Sequence, residues 1–146
     1  MILIRNLKII INKINKINCS KTIVQEEAIE FMIKNSSGIE IINIMNVDSA
    51  FTGLKLFAGN VLTELYALHL SYTKVCDGAL LHLPRAFPSL EYLDLSGTRV
   101  SEDTLEEIVT KCNHLNSIFL SSCRNLERPL RSMSVTKLRD EFKSRR

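Results

Sequence analysis

The sequence of 146 residues has no tryptophan, only five glycines and three prolines, and an aromatic content of 6%. So little glycine and proline excludes a collagen-like or low-complexity chain. No run approaches the roughly 20 uncharged apolar residues of a transmembrane helix, because Arg5 and Lys8 interrupt the most apolar segment, residues 1–11. With 45% apolar residues, the chain is long enough for one folded domain with a single core.

The first 25 residues carry five basic side chains and no acidic one. Residues 124–146 carry eight basic and three acidic side chains, so a total charge of +3 leaves −7 for residues 26–123. An acidic body repels a phosphate backbone and suits a basic partner surface. We expect the basic ends to be solvated, and nucleic-acid binding through these termini is one alternative.

The four cysteines form no CxxC pair and have no histidine partner at zinc-finger spacing. No metal site is therefore expected. Residues 1–11 lack the small-residue cleavage site of a secretory signal, so we expect reduced thiols without disulfides in a cytoplasmic or nuclear protein.

An internal repeat organises the chain. The pattern LxxLxL that begins at Leu65 returns at Leu90 and at Leu115, 25 residues apart each time. Looser copies begin at Ile39 and Ile14, 26 and 25 residues further upstream. Five units therefore start at residues 14, 39, 65, 90 and 115, and together they occupy residues 14–128.

A helical pattern follows each LxxLxL segment. In the fourth unit Ser101 is suited to cap a helix that has Glu102 and Asp103 in its first turn and Lys111 in its last turn. In the first unit the sequence predicts a helix that begins at Glu26 and Glu27, and in the third unit a helix over residues 75–83. In the second unit it predicts a helix that is capped by Asp48 or Ser49 and weakened by Gly53. The apolar residues of that helix are Phe51, Leu54 and Phe57.

One short strand and one helix every 25 residues cannot bury their apolar sides alone, so the units are expected to stack. Strands are predicted near residues 17–19, 42–44, 68–70, 93–95 and 118–120. The ninth position of each unit turns the chain away from the strand and is occupied by Thr22, Val47, Thr73, Thr98 and Cys123. Val47 has no polar side chain for this turn, so the second unit is expected to be irregular.

These motifs resemble the leucine-rich repeat family, in its cysteine-containing type with the pattern LxxLxLxxC and a helix that ends in CxxL. The fourth and fifth units match best, through Leu90, Leu93, Leu95, Val100, Ser101, Leu105, Ile108, Cys112, Leu115, Ile118, Leu120 and Cys123. The resemblance implies an α/β solenoid, a short right-handed arc with parallel strands on the concave face and helices on the convex face. It also implies a role like that of the substrate-binding repeats of F-box proteins and related adaptors, although no F-box is recognisable here.

Side chains between the leucines are expected to form columns on the concave face. Exposed aromatic residues there are typical of a contact hot spot, whereas single surface aromatics are ordinary. The predicted partner-binding residues are Tyr66, His69, Tyr72, Tyr92, Asp94 and Phe119.

His69 beside Asp94 has the composition of a general base with an orienting carboxylate, and the nearest hydroxyls belong to Ser71 and Ser96. Those serines are the small residues that the repeat prefers, and no nucleophile motif or phosphate loop is present. We expect no enzyme activity, no cofactor and no small-molecule substrate.

The two ends each permit two interpretations. Residues 1–13 form either a basic cap over the first repeat or, with Ile14 and Ile17, an amphipathic targeting helix. Residues 129–146 form either a C-terminal cap, with Ser134 capping a helix, or a basic tail. The sequence thus predicts a monomeric protein-interaction module of the ubiquitin-ligase pathway, and a mitochondrial assembly or coupling factor is the first alternative.

Overall fold

The computed structural model describes residues 14–36, 38–47 and 51–146. The predictions for residues 1–13, and for Asp48 and Ser49 as helix caps, lie outside this part. Within it, no helix is both long and apolar enough to cross a membrane.

Five strands of three residues each form one parallel sheet in chain order. They are β1 (Lys16–Asn18), β2 (Ile41–Asn43), β3 (Ala67–His69), β4 (Tyr92–Asp94) and β5 (Ser117–Phe119). The register pairs equivalent positions of neighbouring repeats throughout, as in Leu68 beside Leu93. The fold is therefore the parallel solenoid that the sequence predicts.

Each strand lies one residue earlier than predicted, because the last leucine of LxxLxL already belongs to the turn. The Leu95 carbonyl accepts the amide of Thr98 at 3.1 Å and the hydroxyl of the same residue at 2.7 Å. The hydroxyls of Thr22 and Thr73 donate to Cys19 and Leu70 in the same way. Val47 has no hydroxyl with which to close the equivalent turn.

A residue with positive φ follows every strand, at the same position of each repeat. These residues are Lys21, Asn46, Tyr72, Gly97 and Ser122, with φ between 53° and 71°. A left-handed conformation costs a non-glycine residue about 1 kcal/mol. In the first four repeats the amide of this residue donates to a carbonyl of the next repeat, as in Tyr72 N–H to the Ser96 carbonyl at 2.8 Å. This ladder offsets the strain.

The helices form the second layer of the solenoid. They are α1 (Glu26–Lys34), α2 (Leu54–Gly59), α3 (Asp77–Leu80), α4 (Leu83–Ala86), α5 (Glu102–Lys111) and α6 (Val135–Ser144), with a 3₁₀ turn at Leu130–Ser132. The helix prediction for the fourth unit is confirmed: the Ser101 hydroxyl accepts the Thr104 amide at the start of α5.

Two helix predictions were wrong in extent. The helix predicted over residues 75–83 is divided into α3 and α4, because the ring of Pro84 would clash with the Leu80 carbonyl in a continuous helix. In the second unit α2 begins only at Leu54, and Phe51 precedes it. Gly53 is its cap at φ 76°, where a Cβ atom would lie 2.8 Å from the Phe57 ring.

One continuous core lies between the sheet and the helices, and each of the five units contributes buried apolar residues from its LxxLxL positions. All four cysteines are free thiols. Burial raises the pKa of Cys112 to about 11, partly opposed by the positive charge of Arg139, so this thiol is neutral at pH 7. Cys112 and Cys123 therefore act as small apolar core residues.

Helix α6 covers the last repeat. Val135, Leu138 and Phe142 are buried beneath it, and α6 packs against α5. The Arg139 guanidinium donates to the carbonyls of Val109 at 2.7 Å and Cys112 at 2.9 Å. These carbonyls lie at the C-terminal end of α5, where the last carbonyls of a helix have no partner within it.

Candidate functional site

The sheet register aligns the outward-facing side chains into two columns on the concave face. One column contains Lys16, Ile41, Ala67, Tyr92 and Ser117, and the other contains Asn18, Asn43, His69, Asp94 and Phe119. Four of the six predicted partner-binding residues belong to these columns.

Three rings of these columns stack across the last three repeats. The centroids of His69 and Tyr92 are 4.8 Å apart with the rings inclined by 41°, and those of Tyr92 and Phe119 are 5.2 Å apart at 36°. We call His69, Tyr92 and Phe119 the aromatic row. Phe119 is 45% exposed, while His69 and Tyr92 are half-buried. Contact with the neighbouring ring limits the rotamers that each of these side chains can adopt.

The aromatic row is uncharged at neutral pH. Burial lowers the pKa of His69, an effect that Asp94 opposes and Lys16 reinforces. Burial also raises the pKa of Tyr92, and the negative charge of Asp94 raises it further. The row therefore presents apolar ring surface with polar atoms, rather than charge, to a partner.

Asp94 also holds the turn that follows its own strand. Its Oδ1 accepts the Ser96 amide at 2.9 Å, and Asn18 and Asn43 bond the amides two residues further on in the same way. His69 and Phe119 occupy this position in the other two repeats and carry no such oxygen. One oxygen of Asp94 is thus committed to the fold.

The remaining two candidates, Tyr66 and Tyr72, lie at opposite ends of β3. Tyr66 precedes the strand and is 39% exposed, whereas Tyr72 follows it and is 58% exposed. The Tyr72 ring lies directly over Gly97, where an added Cβ atom would be 2.6 Å from its Cε1. The structure thus brings His69, Tyr92 and Phe119 together, while Tyr72 belongs to the edge of the sheet.

Two open grooves lie along that edge, with volumes of about 610 and 440 Å³. They share Tyr72, Gly97 and Arg99, and their outer residues include Lys74 and Arg124. This basic edge was not predicted from the sequence. The signal was present, since Lys74, Arg99 and Arg124 recur every 25 residues like the leucines.

The His69 and Asp94 pair has a structural explanation in the stacking and turn contacts described above. Among residues 14–36, 38–47 and 51–146, no three or more His, Cys, Asp and Glu side chains are grouped so as to hold a metal ion.

A parallel sheet with one strand and one helical segment per repeat defines the leucine-rich repeat class of solenoid. A family profile described as "FBD-associated F-box protein At5g56370, LRR repeats" matches residues 56–140, more than half of the chain. The chain belongs to this family of leucine-rich repeats. Comparisons with curated proteins and with solved structures gave no significant match.

Proposed function

We propose that the chain is a non-catalytic recognition module whose concave face binds a protein partner, and that this partner is a substrate of an F-box type of ubiquitin ligase. The observation that carries the proposal is the aromatic row. Large rigid side chains lose little conformational entropy on binding, so they provide contact area at low cost.

Tyr66 extends this surface beyond the N-terminal end of β3, and the second oxygen of Asp94 adds a hydrogen-bond acceptor beside Tyr92. Aromatic anchors surrounded by such polar groups are the usual composition of a binding hot spot. The ligase part of the proposal is supported by the family, whose description names an F-box protein.

The test is affinity purification from cells with quantitative mass spectrometry, using the unmodified protein and a Tyr92→Ala, Phe119→Ala double variant. We expect the double variant to fold and to lose its specific partners. The matched control is Phe31→Ala with Leu81→Ala, which removes two exposed apolar side chains outside the sheet, 53% and 50% exposed. It is expected to retain those partners.

Two results separate the parts of the proposal. If the double variant and the unmodified protein bind the same partners, the concave face is not the recognition surface. If partners are lost but their cellular abundance stays the same when this protein is depleted, recognition holds and the link to a ubiquitin ligase is wrong.

A further inference from the structure

Three basic residues form a third column, separate from the aromatic row, in the turns that follow β3, β4 and β5. Lys74, Arg99 and Arg124 each lie two residues after the positive-φ residue of their repeat. All three are exposed. Their side chains make no ion pair or hydrogen bond within the described part of the chain, whereas Lys111, Arg145 and Arg146 form ion pairs with glutamates of α5.

The backbone beneath this column is fixed. The amides of Tyr72 and Gly97 donate to the carbonyls of Ser96 and Ser121 at 2.8 and 2.7 Å, so the turns are bonded one to the next. Neighbouring strands lie about 4.8 Å apart, so three successive turns span about 10 Å. The three cations are therefore attached to a rigid base of that length.

One aromatic ring, that of Tyr72, lines both grooves together with the cations. The Tyr72 ring occupies the space over Gly97 that any larger residue would fill, and both residues line both grooves. Gly97 is required by the position of the ring, which a Cβ atom would overlap; its positive φ is shared by non-glycine residues in the other repeats.

The acidic groups near the grooves bond to other parts of the protein and not to the three cations. Asp77 is the acidic residue among those that line them, and its Oδ1 accepts the Ser101 amide at 3.1 Å. Beyond it, Glu102 pairs with Arg145 at 3.1 Å. Neither carboxylate forms an ion pair with Lys74, Arg99 or Arg124.

We propose that these grooves bind a short anionic segment of a partner protein, with carboxylate or phosphate groups on Lys74, Arg99 and Arg124 and one side chain over the Tyr72 ring. About three extended residues span 10 Å, so a compact acidic or phosphoserine-containing motif fits. Arginine suits such groups because its planar fork makes paired hydrogen bonds to them. This surface is separate from the concave face, which carries the proposed function.

A nucleic acid fits this surface less well than a peptide. A polyanion carries charge along its whole length and is bound by long basic tracks, whereas this column covers about 10 Å. A short peptide needs no more than the three cations.

The test is fluorescence anisotropy on the purified protein with a fluorescein-labelled peptide that carries two phosphoserines around an aspartate. The same peptide with serine and asparagine in those places is the uncharged probe. We expect binding of the first peptide, little binding of the second, and affinity that falls as salt rises.

The deciding variant is Arg99→Glu with Arg124→Glu, and Lys137→Glu with Lys143→Glu on α6 makes the same charge change elsewhere. Reversal of two exposed cations should weaken binding about tenfold or more. The control should change it less than about twofold. All residues changed are exposed, and circular dichroism checks that each variant is folded.

Three results would overturn the proposal. Equal weakening by both double variants would mean a response to net charge alone. Unchanged binding by the groove variant would place the peptide elsewhere. Single-stranded DNA of equal charge that competes as well as the phosphopeptide would identify a nonspecific polyanion surface.

Discussion

Leu95 is fully buried in the middle of the stack, and its backbone serves both neighbouring turns. Its amide donates to the Phe119 carbonyl at 2.9 Å, while its carbonyl accepts the Thr98 hydroxyl and, at 3.1 Å, the thiol of Cys123. Leu95 thus connects the fourth repeat to the fifth through side-chain packing and through backbone hydrogen bonds.

Leu95→Ala is expected to lower the free energy of unfolding by about 2 to 5 kcal/mol, because neighbours on all sides prevent the cavity from collapsing. Urea denaturation measures this. Leu81→Ala is the control: Leu81 is half exposed, so its loss should cost about 0.5 kcal/mol or less. An unchanged midpoint for Leu95→Ala would refute the register of the fourth repeat.

Single residues also show where sequence reasoning reaches its limit. The burial of Leu95 follows from its place in LxxLxL. The aligned columns of His69, Asp94 and Phe119 follow equally from the repeat length. The position of the Tyr72 ring does not, because it depends on a left-handed backbone and on the absence of a side chain at Gly97. The periodic pattern of apolar residues predicts neither the left-handed backbone nor the contact between the ring and Gly97.

Secondary structure elements were predicted best where local signals agreed. Helix α5 has a serine cap, acidic residues in its first turn and a lysine in its last turn, and it forms where predicted. The third unit has a competing signal in Pro84, and its apolar spacing alone suggested one helix where the structure has α3 and α4.

Helix α6 depends on one polar contact as well as on its apolar face. Arg139 satisfies carbonyls at the end of α5, so Arg139→Ala leaves those groups unpaired. We expect a loss of about 2 kcal/mol in the free energy of unfolding, as for hydrogen bonds that involve a charged group.

Lys143→Ala, in the same helix but exposed, is the control for Arg139→Ala. Thermal unfolding followed by circular dichroism compares the two variants. Equal melting temperatures would mean that the apolar face alone docks α6 on the last repeat.

The molecule as a whole has two differently built surfaces. The concave face carries the uncharged aromatic row, and the edge after the strands carries the basic column around Tyr72. Both surfaces arise because the solenoid places equivalent residues of successive repeats side by side. Residues that recur at the repeat spacing in the sequence therefore form a continuous surface. The solenoid and its family are visible in the sequence, whereas the division into two surfaces needs the turn geometry.

Site-specific photocrosslinking in cells tests whether the concave face binds the partner protein, and it leaves the aromatic row largely intact. A photoreactive phenylalanine analogue replaces Phe119 on the concave face or, in the control, Phe31 on α1, and both positions are exposed. We predict that position 119 crosslinks to a discrete partner protein and that position 31 does not. Crosslinks to that partner from position 31 alone would contradict it.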